Sequence, residues 1–125
     1  MNLFLIGAGG FFGAITRYLV DGWVSSSTRI GAFPFGTFVI NISGAFILGL
    51  LSALALEKAA IDPRIRGPIM IGFIGAYTTF STLMFESWRL AEDGSWGLAL
   101  LNIGLSCGLG MCAVFVGLTV GRALA

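Results

Sequence analysis

Four long stretches of this chain contain no charged side chain, and this pattern restricts the fold more than any other feature. The stretches are Met1–Thr16, Ile30–Leu56, Gly67–Phe85 and Gly94–Gly121. About 20 apolar residues cross the hydrocarbon core of a bilayer as a helix, so each stretch can cross once, the first by extending towards Arg17. We therefore predict an all-α, multi-pass membrane protein with one four-span domain. The predicted spans cover roughly residues 2–20, 34–56, 67–88 and 95–122 of the 125-residue chain.

The composition agrees with a membrane protein and excludes several other classes. Hydrophobic residues make up 57% of the chain and charged residues only 10%, whereas soluble domains contain about 25% charged residues. A net charge of +1 gives no electrostatic basis for binding nucleic acid. The chain has no histidine and only two cysteines, so no zinc or haem site is expected. No basic residue precedes the first apolar stretch, so a cleaved signal peptide is not expected.

The charged residues are expected in the loops between spans, where they bear on orientation. Asp21 and Arg29 are predicted in a Ser-rich first loop. If all four spans cross, one side carries Lys58, Arg64, Arg66 and Arg122, and the other carries Arg17, Arg29 and Arg89. Four basic residues against three is a weak positive-inside signal. The chain either inserts in both orientations, which would permit antiparallel dimers, or the small bias fixes one orientation.

Small residues are concentrated inside the predicted spans. Glycine occurs 19 times, and small residues four apart let membrane helices approach closely. Such pairs or rows are Gly9 and Gly13, Ala45 and Gly49, Gly104-Gly108-Cys112, and Ala113-Gly117-Gly121. Four thin helices leave little room for an internal cavity. A solute pathway is therefore expected between subunits, in an oligomer.

The third span contains an unusual polar string, Gly75-Ala-Tyr-Thr-Thr-Phe-Ser-Thr82. Hydroxyl groups at membrane depth are costly unless they face protein or water, so the string indicates a pathway. Gly72 and Gly75 weaken the helix just before the Thr-Thr pair. We predict a break in the third helix near Gly75–Thr79. Such a break would free backbone carbonyls that can coordinate a cation.

The second and third spans also offer groups that suit an anion. Asn41 has two amide donors in mid-span, and Thr37 lies one turn earlier on the same helix face. Phe80 presents a ring whose edge is electropositive. Asn41 is alternatively a helix–helix hydrogen-bonding residue, and Phe80 and Leu83 are alternatively packing or lipid-facing residues. These alternatives stay open at the level of single residues.

Parts of the sequence partly match the motifs of three other functional classes. The opening glycines do not match a dinucleotide-binding turn, because the third glycine is one residue late. The order Gly75-Ala-Tyr-Thr-Thr differs from that of a potassium filter. A small, four-span, proton-coupled multidrug antiporter is the main alternative. It needs a titratable group within the membrane, for which the chain offers Glu86 at the margin of span three. No catalytic dyad, activated nucleophile or cofactor motif is present, so we do not expect an enzyme.

Four motifs in combination carry a resemblance to a known family. They are Gly10-x-x-Gly13-Ala14-x-x-Arg17-Tyr18, Gly36-Thr37-x-x-x-Asn41-x-x-Gly44-x-x-x-x-Gly49, Gly72-Phe-x-Gly75-x-x-Thr78-Thr-Phe-Ser-Thr82, and Leu101-Asn102. On these motifs the chain resembles the Fluc (CrcB-like) fluoride channels over essentially its whole length. The resemblance implies a passive, fluoride-selective channel that exports fluoride from the cytoplasm across the bacterial inner membrane and so confers fluoride resistance.

The resemblance also implies an assembly and a metal ion. The expected assembly is an antiparallel, dual-topology homodimer in the lipid bilayer, with two fluoride pores lined by both subunits. A central structural sodium ion is expected at the two-fold axis. The matching positions for its ligands are the backbone carbonyls of Gly75 and Thr78, two from each subunit.

The same resemblance assigns roles to individual side chains. Asn41, Ser81 and Thr82 are expected to donate hydrogen bonds to fluoride, with Thr37 on the same path and Phe80 giving ring-edge contact. Arg17 would draw anions into a vestibule, or alternatively anchor span one at the interface. Leu83 is a departure, because the family motif commonly has phenylalanine there. Half of the family's paired-phenylalanine feature is therefore absent from this chain.

Overall fold

Four apolar helical segments form the part of the protein that the computed structural model describes, residues 2–28, 31–57 and 59–124. We call them spans 1 to 4, and each is long and apolar enough to cross a membrane: Leu3–Ser27, Phe35–Glu57, Pro63–Glu92 and Trp96–Leu124. The all-helical, four-span prediction is confirmed. Helix ends do not mark a bilayer surface, so the predicted membrane limits stay predictions. Arg29 and Lys58, which entered the charge count, lie outside the described residues.

The helices differ in regularity. Span 1 is the helix Asn2–Ser27 and span 4 is the helix Trp96–Leu124. Span 2 is the helix Phe35–Ser52, which continues into a π-helical turn, Ala53–Glu57. Span 3 consists of the helical pieces Pro63–Arg66, Gly67–Ile74 (π-helical), Gly75–Tyr77 and Phe80–Glu92. Span 3 begins at an Asp-Pro pair, where the Asp62 side chain accepts a hydrogen bond from the Arg64 N–H at 2.8 Å.

The spans pack in two pairs through glycines. Gly9 and Gly13 of span 1 press against the backbone of span 3 at Pro68 and Phe73. Gly49 of span 2 and Gly117 of span 4 are likewise in contact with the backbone of the opposite helix. A side chain at any of these glycines would overlap backbone atoms, which cannot move aside cheaply. Glycines from three of the four predicted small-residue pairs and rows therefore pack as expected.

The row Gly104-Gly108-Cys112 behaves differently from the prediction. No heavy atom lies within 4 Å of a Cβ built at Gly104 or Gly108, and Cys112 is exposed. The row faces away from the other spans, because Gly117 and Gly121, further along span 4, lie on the face that meets span 2. It therefore does not serve helix packing within the subunit.

The predicted position of Asp21 in a loop is wrong. The helix of span 1 continues to Ser27, because polar side chains near its end bond within the helix. The Ser25 hydroxyl donates to the Asp21 carboxylate at 3.2 Å, and the Ser27 hydroxyl donates to the Trp23 carbonyl at 2.8 Å. A charged residue ends an apolar stretch without ending a helix. Asp21 consequently lies against Gly36 at the start of span 2.

The contact at Gly13 predicts a stability effect. Gly13→Ala should lower the thermal midpoint of the detergent-solubilised protein, since its Cβ would overlap the Phe73 carbonyl and overpacking costs about 1–3 kcal/mol. The measurement is the loss of the folded peak in size-exclusion chromatography after heating. Gly7→Ala on the same helix is the matched control, because a Cβ there meets nothing within 4 Å. Equal midpoints for the two variants would contradict the packing.

Candidate functional site

The candidate site is built around an interruption of span 3. The helix stops after Tyr77 and resumes at Phe80, and the two residues between are extended. Thr78 has φ −80° and ψ 157°, and Thr79 has φ −151° and ψ 116°. The break therefore falls within the predicted interval. Gly75 itself is helical, with φ −61° and ψ −34°, so the interruption follows the glycines and does not occur at them.

Asn41 of span 2 supplies the hydrogen bonds that the interrupted helix lacks. Its side-chain oxygen accepts from the Thr79 N–H at 2.8 Å, and its side-chain N–H donates to the Thr79 carbonyl at 3.0 Å. A peptide N–H can only donate and a carbonyl can only accept, so this pair of contacts fixes the orientation of the amide. The Thr79 N–H thus points to Asn41 and away from the Gly75 carbonyl, its partner in a continuous helix.

Span 2 contacts the two residues before Thr79 as well. The hydroxyl oxygens of Ser43 and Tyr77 lie 2.9 Å apart and share a hydrogen bond. Gly44 lies directly against the Thr78 side chain, whose methyl group occupies the space that a Cβ at Gly44 would need. We refer to Asn41, Ser43 and Gly44 as the span-2 cradle. Neither Ser43 nor Tyr77 was singled out from the sequence, because both read as ordinary residues of a packed helix.

The residue after the break begins a regular helix. The Thr79 hydroxyl oxygen accepts from the Thr82 N–H at 3.3 Å, which is an N-cap contact, and the hydroxyl also bonds to the Thr82 hydroxyl at 3.0 Å. The Ser81 hydroxyl lies 3.5 Å from the Thr79 hydroxyl, at the limit of a hydrogen bond. The polar string thus caps the second half of span 3.

One groove brings together several of the predicted residues. This groove, which we call the Phe80 groove, has a volume of about 270 Å³ and is lined by Asn41, Thr78, Thr79, Phe80, Leu83, Ser106 and Cys107. Phe80 is 73% exposed within the subunit, whereas Leu83 is 5% exposed. Ser106 is buried, and its hydroxyl has no hydrogen-bond partner among the described residues. Sequence reasoning left Ser106 unassigned.

A second cavity holds the other predicted residues. This Arg17 cavity has a volume of about 190 Å³ and is lined by Ala14, Arg17, Tyr18, Asp21, Thr37, Ile40, Thr79 and Thr82. Thr79 lines both the Arg17 cavity and the Phe80 groove. Among the predicted site residues, Ser81 is exposed and lines neither space. Asp21, absent from the predicted site, adds a carboxylate to the cavity that Arg17 lines.

Thr37 has a partner that the sequence did not suggest. Its hydroxyl donates to the Glu86 carboxylate at 2.9 Å, so its proton already has an acceptor. The other Glu86 oxygen is buried without a hydrogen-bond partner in the described part of the chain. The carboxylate of Glu86 therefore faces span 2, and the residue is partly buried in the subunit. The sequence alone shows only that Glu86 directly follows Phe85, the last residue of the third charge-free stretch.

Span 4 supports the second half of span 3 from the other side. Asn102 is 0% exposed, and its side-chain N–H donates to the Ser87 hydroxyl at 2.9 Å. The Ser87 hydroxyl donates in turn to the Leu83 carbonyl at 2.8 Å. A buried chain of hydrogen bonds thus connects span 4 to the helix that carries Leu83 into the Phe80 groove.

Comparison with known proteins assigns the family. The model of the family described as "CrcB-like protein, Camphor Resistance (CrcB)" matches residues 4–118. The chain belongs to this family. The resemblance drawn from the sequence motifs is therefore confirmed.

Two CrcB-family relatives match nearly the whole chain. One from Maridesulfovibrio salexigens is 44% identical over 117 residues, covering 94% of this chain and 92% of the relative. Another from Acidobacterium capsulatum is 42% identical over 123 residues, covering 98% and 97%. Both are named fluoride-specific ion channel FluC. Membership of a family whose named relatives are ion channels confirms that this CrcB-family chain is not an enzyme.

Proposed function

We propose that this chain forms a passive, fluoride-selective channel that exports fluoride from the cytoplasm across the bacterial inner membrane. One observation carries the proposal: the Arg17 cavity and the Phe80 groove share one lining residue, Thr79, in the break of span 3. Together the two spaces contain every side chain expected to face an anion except Ser81. The names of the relatives supply the choice of fluoride among anions.

Fluoride holds its water tightly, so a selective path must offer close donors in place of water. Asn41 retains one amide hydrogen after bonding the Thr79 carbonyl, and the unpartnered Ser106 hydroxyl lies in the same groove. Phe80 presents its ring there, whose electropositive edge suits an anion. The three groups together form a lining of weak, separate contacts. Weak contacts at several places allow an ion to enter and leave.

The Arg17 cavity contains a positively charged side chain, as expected of the entrance to an anion path. A guanidinium group attracts anions over a distance, and Asp21 in the same cavity limits how strongly an anion is held there. Thr82 offers a hydroxyl in the same cavity. Thr37 acts in this scheme through Glu86, whose carboxylate it binds at 2.9 Å.

An antiparallel, dual-topology homodimer would complete the path. The Phe80 groove is open on the side where Phe80 is exposed, and the row Gly104-Gly108-Cys112 is open for close approach by another helix. A second copy packed on this side would close two grooves, one for each subunit. The basic residues are split almost equally between the two sides of the four spans, which permits opposite insertion of the two copies.

A structural sodium ion fits the donors at the break. Hard cations prefer oxygen ligands, and the broken span directs the Thr79 N–H away from the Gly75 carbonyl. Thr78, the second proposed ligand, ends the helix: its N–H still bonds the Ile74 carbonyl at 3.0 Å, and its own carbonyl follows an extended ψ of 157°. No group of three His, Cys, Asp or Glu residues that could hold a metal occurs in the described part of the chain, so carbonyls are the available donors. When bound, sodium would supply positive charge near the anion path.

The proposed function can be tested in cells that lack their own fluoride exporter. Expression of this chain should restore growth in fluoride, and it should not alter sensitivity to organic cations. Arg122→Lys serves as a folded control, because Arg122 pairs with Glu57 at the end of span 4, away from both cavities. Resistance to organic cations without resistance to fluoride would favour the proton-coupled antiporter instead, with Glu86 as its titratable group.

Leu83 gives a further prediction about the groove. Leu83→Phe, which restores the family residue, should be tolerated and should change the rate of fluoride release while fluoride remains preferred over chloride. Leu83 lines the groove beside Phe80, so a second ring alters the contact surface without removing a donor. The measurement is anion release from liposomes that contain the purified variant. Loss of the folded dimer would mean that the space around Leu83 differs from the family arrangement.

A further inference from the structure

The paired hydrogen bonds between Asn41 and Thr79 have a consequence for the role of Asn41. We propose that Asn41 is a positioning residue that holds the break of span 3 in its extended form, and that its main effect on transport passes through the backbone of Thr79. The transport part of this inference rests on the proposed function. The structural part concerns one backbone amide and can be tested without any transport.

The side-chain amide of Asn41 pairs with both backbone groups of a single residue, Thr79. The amide of Asn41 gives Thr79 one acceptor at 2.8 Å and one donor at 3.0 Å. An extended residue in a β-sheet obtains the same pair of contacts from a neighbouring strand. Thr79 has no neighbouring strand, and at membrane depth it has no lipid group to bond. Asn41 takes the place of the strand and makes an interruption of the helix tolerable.

Few other side chains can make this pair of contacts. Aspartate keeps the acceptor for the Thr79 N–H but presents a second oxygen to the Thr79 carbonyl. Serine and alanine leave one or both backbone groups unpaired, which is costly in a buried site. Glutamine has the same amide on a longer stem. The requirement for asparagine therefore follows from the backbone of Thr79, independently of any bound anion.

The neighbouring residues of span 2 contact the rest of the break. Tyr77, Thr78 and Thr79 each touch one member of the span-2 cradle: Ser43, Gly44 and Asn41. Thr79 lines both the Arg17 cavity and the Phe80 groove, and Phe80 follows it directly in the chain. Releasing Thr79 would therefore displace the residue that lines both spaces and the start of the helix that carries Phe80.

Hydrogen exchange of the Thr79 amide tests the structural part. In the parent protein in nanodiscs this amide should exchange slowly, although Thr79 lies outside a helix. In Asn41→Ala its exchange should accelerate by about tenfold or more, as expected when a protecting bond is lost. Thr37→Val is the matched control, because it removes a side-chain hydrogen bond one turn earlier on span 2 and should leave exchange at Thr79 within about twofold.

A double-variant cycle tests whether transport depends on the same contact. Replacing Thr79 by its α-hydroxy acid deletes the N–H that Asn41 accepts and keeps the side chain. Fluoride release should fall by about fivefold to tenfold in this ester, but the ester should lower it little further in the Asn41→Ala background, where the Thr79 N–H has already lost its acceptor. The ester also weakens the Thr78 carbonyl, and an effect by that route would persist fully in the Asn41→Ala background.

The outcomes separate the two proposals. Rapid exchange of the Thr79 amide in the parent, or unchanged exchange in a folded Asn41→Ala variant, would overturn the positioning role even if the protein transports fluoride. Independent, multiplying effects in the cycle would also overturn it and make Asn41 a direct ligand only. Absence of fluoride release from the parent would refute the proposed function and leave the exchange result standing.

Discussion

Asn41→Asp should reduce fluoride release by at least about a hundredfold while the protein remains assembled. The substitution places a carboxylate oxygen next to the Thr79 carbonyl, where the parent has an N–H donor at 3.0 Å. A negative charge in the groove also repels an anion. Two unit charges 4 Å apart interact by about 4 kcal/mol at an effective dielectric constant of 20, which is ample for this loss.

The measurement compares release rates from liposomes at equal protein content, after size-exclusion chromatography has established that parent and variant have the same assembly. Ser26→Asp is the matched control, because it adds the same charge at an exposed position near the end of span 1. It should release fluoride within about twofold of the parent, since exposed charges interact weakly in water. An Asn41→Asp variant that assembled normally and released fluoride like the parent would make Asn41 a packing residue.

The second large effect concerns topology. Single-cysteine labelling at Ser26, on a background without Cys107 and Cys112, should find this position accessible from both sides of the membrane. Inserting two lysines after Ala60, on the side that already carries four basic residues, should then drive most copies into one orientation, because the count becomes six basic residues against three. If about nine in ten copies share an orientation, at most about a fifth of them can join antiparallel pairs. Fluoride release per chain should fall by about fivefold.

The control inserts two glutamates at the same place, since acidic residues contribute little to orientation. Release from that variant should match the parent. Labelling of Ser26→Cys from one side only, together with full fluoride release, would rule out the dual-topology dimer. Loss of release in both insertion variants would instead indicate that the loop tolerates no added residues.

The features that the sequence predicted well are those carried by local patterns. Charge-free stretches predicted the four spans, and the Thr-Thr-Phe-Ser-Thr string predicted where span 3 is interrupted. Gly9 and Gly13 were expected to permit close packing, and both lie against the backbone of span 3. In each case the residues needed for the inference are neighbours in sequence, so periodicity and spacing contain the information.

The features that the sequence did not predict depend on contacts between distant residues. Asn41 and Thr79 are 38 positions apart, and only the structure shows that the asparagine side chain bonds the backbone of span 3. Thr37 and Glu86 are 49 positions apart, and only the structure shows that their side chains are hydrogen-bonded. Gly104 and Gly108 form a pattern equivalent to that of the other rows, but face outward. The rotation of span 4 about its own axis decides which row faces outward, and this rotation is fixed by the packing of span 2 on span 4.

The most direct measurement of the central claim is ion release from liposomes that contain the purified protein and equal internal fluoride and chloride. With valinomycin present to carry potassium and balance charge, fluoride should leave rapidly while chloride remains inside. Release should need neither ATP nor a proton gradient, because the path is passive. Release of chloride at a comparable rate, or fluoride release that stops when the proton gradient is collapsed, would contradict a passive fluoride-selective channel.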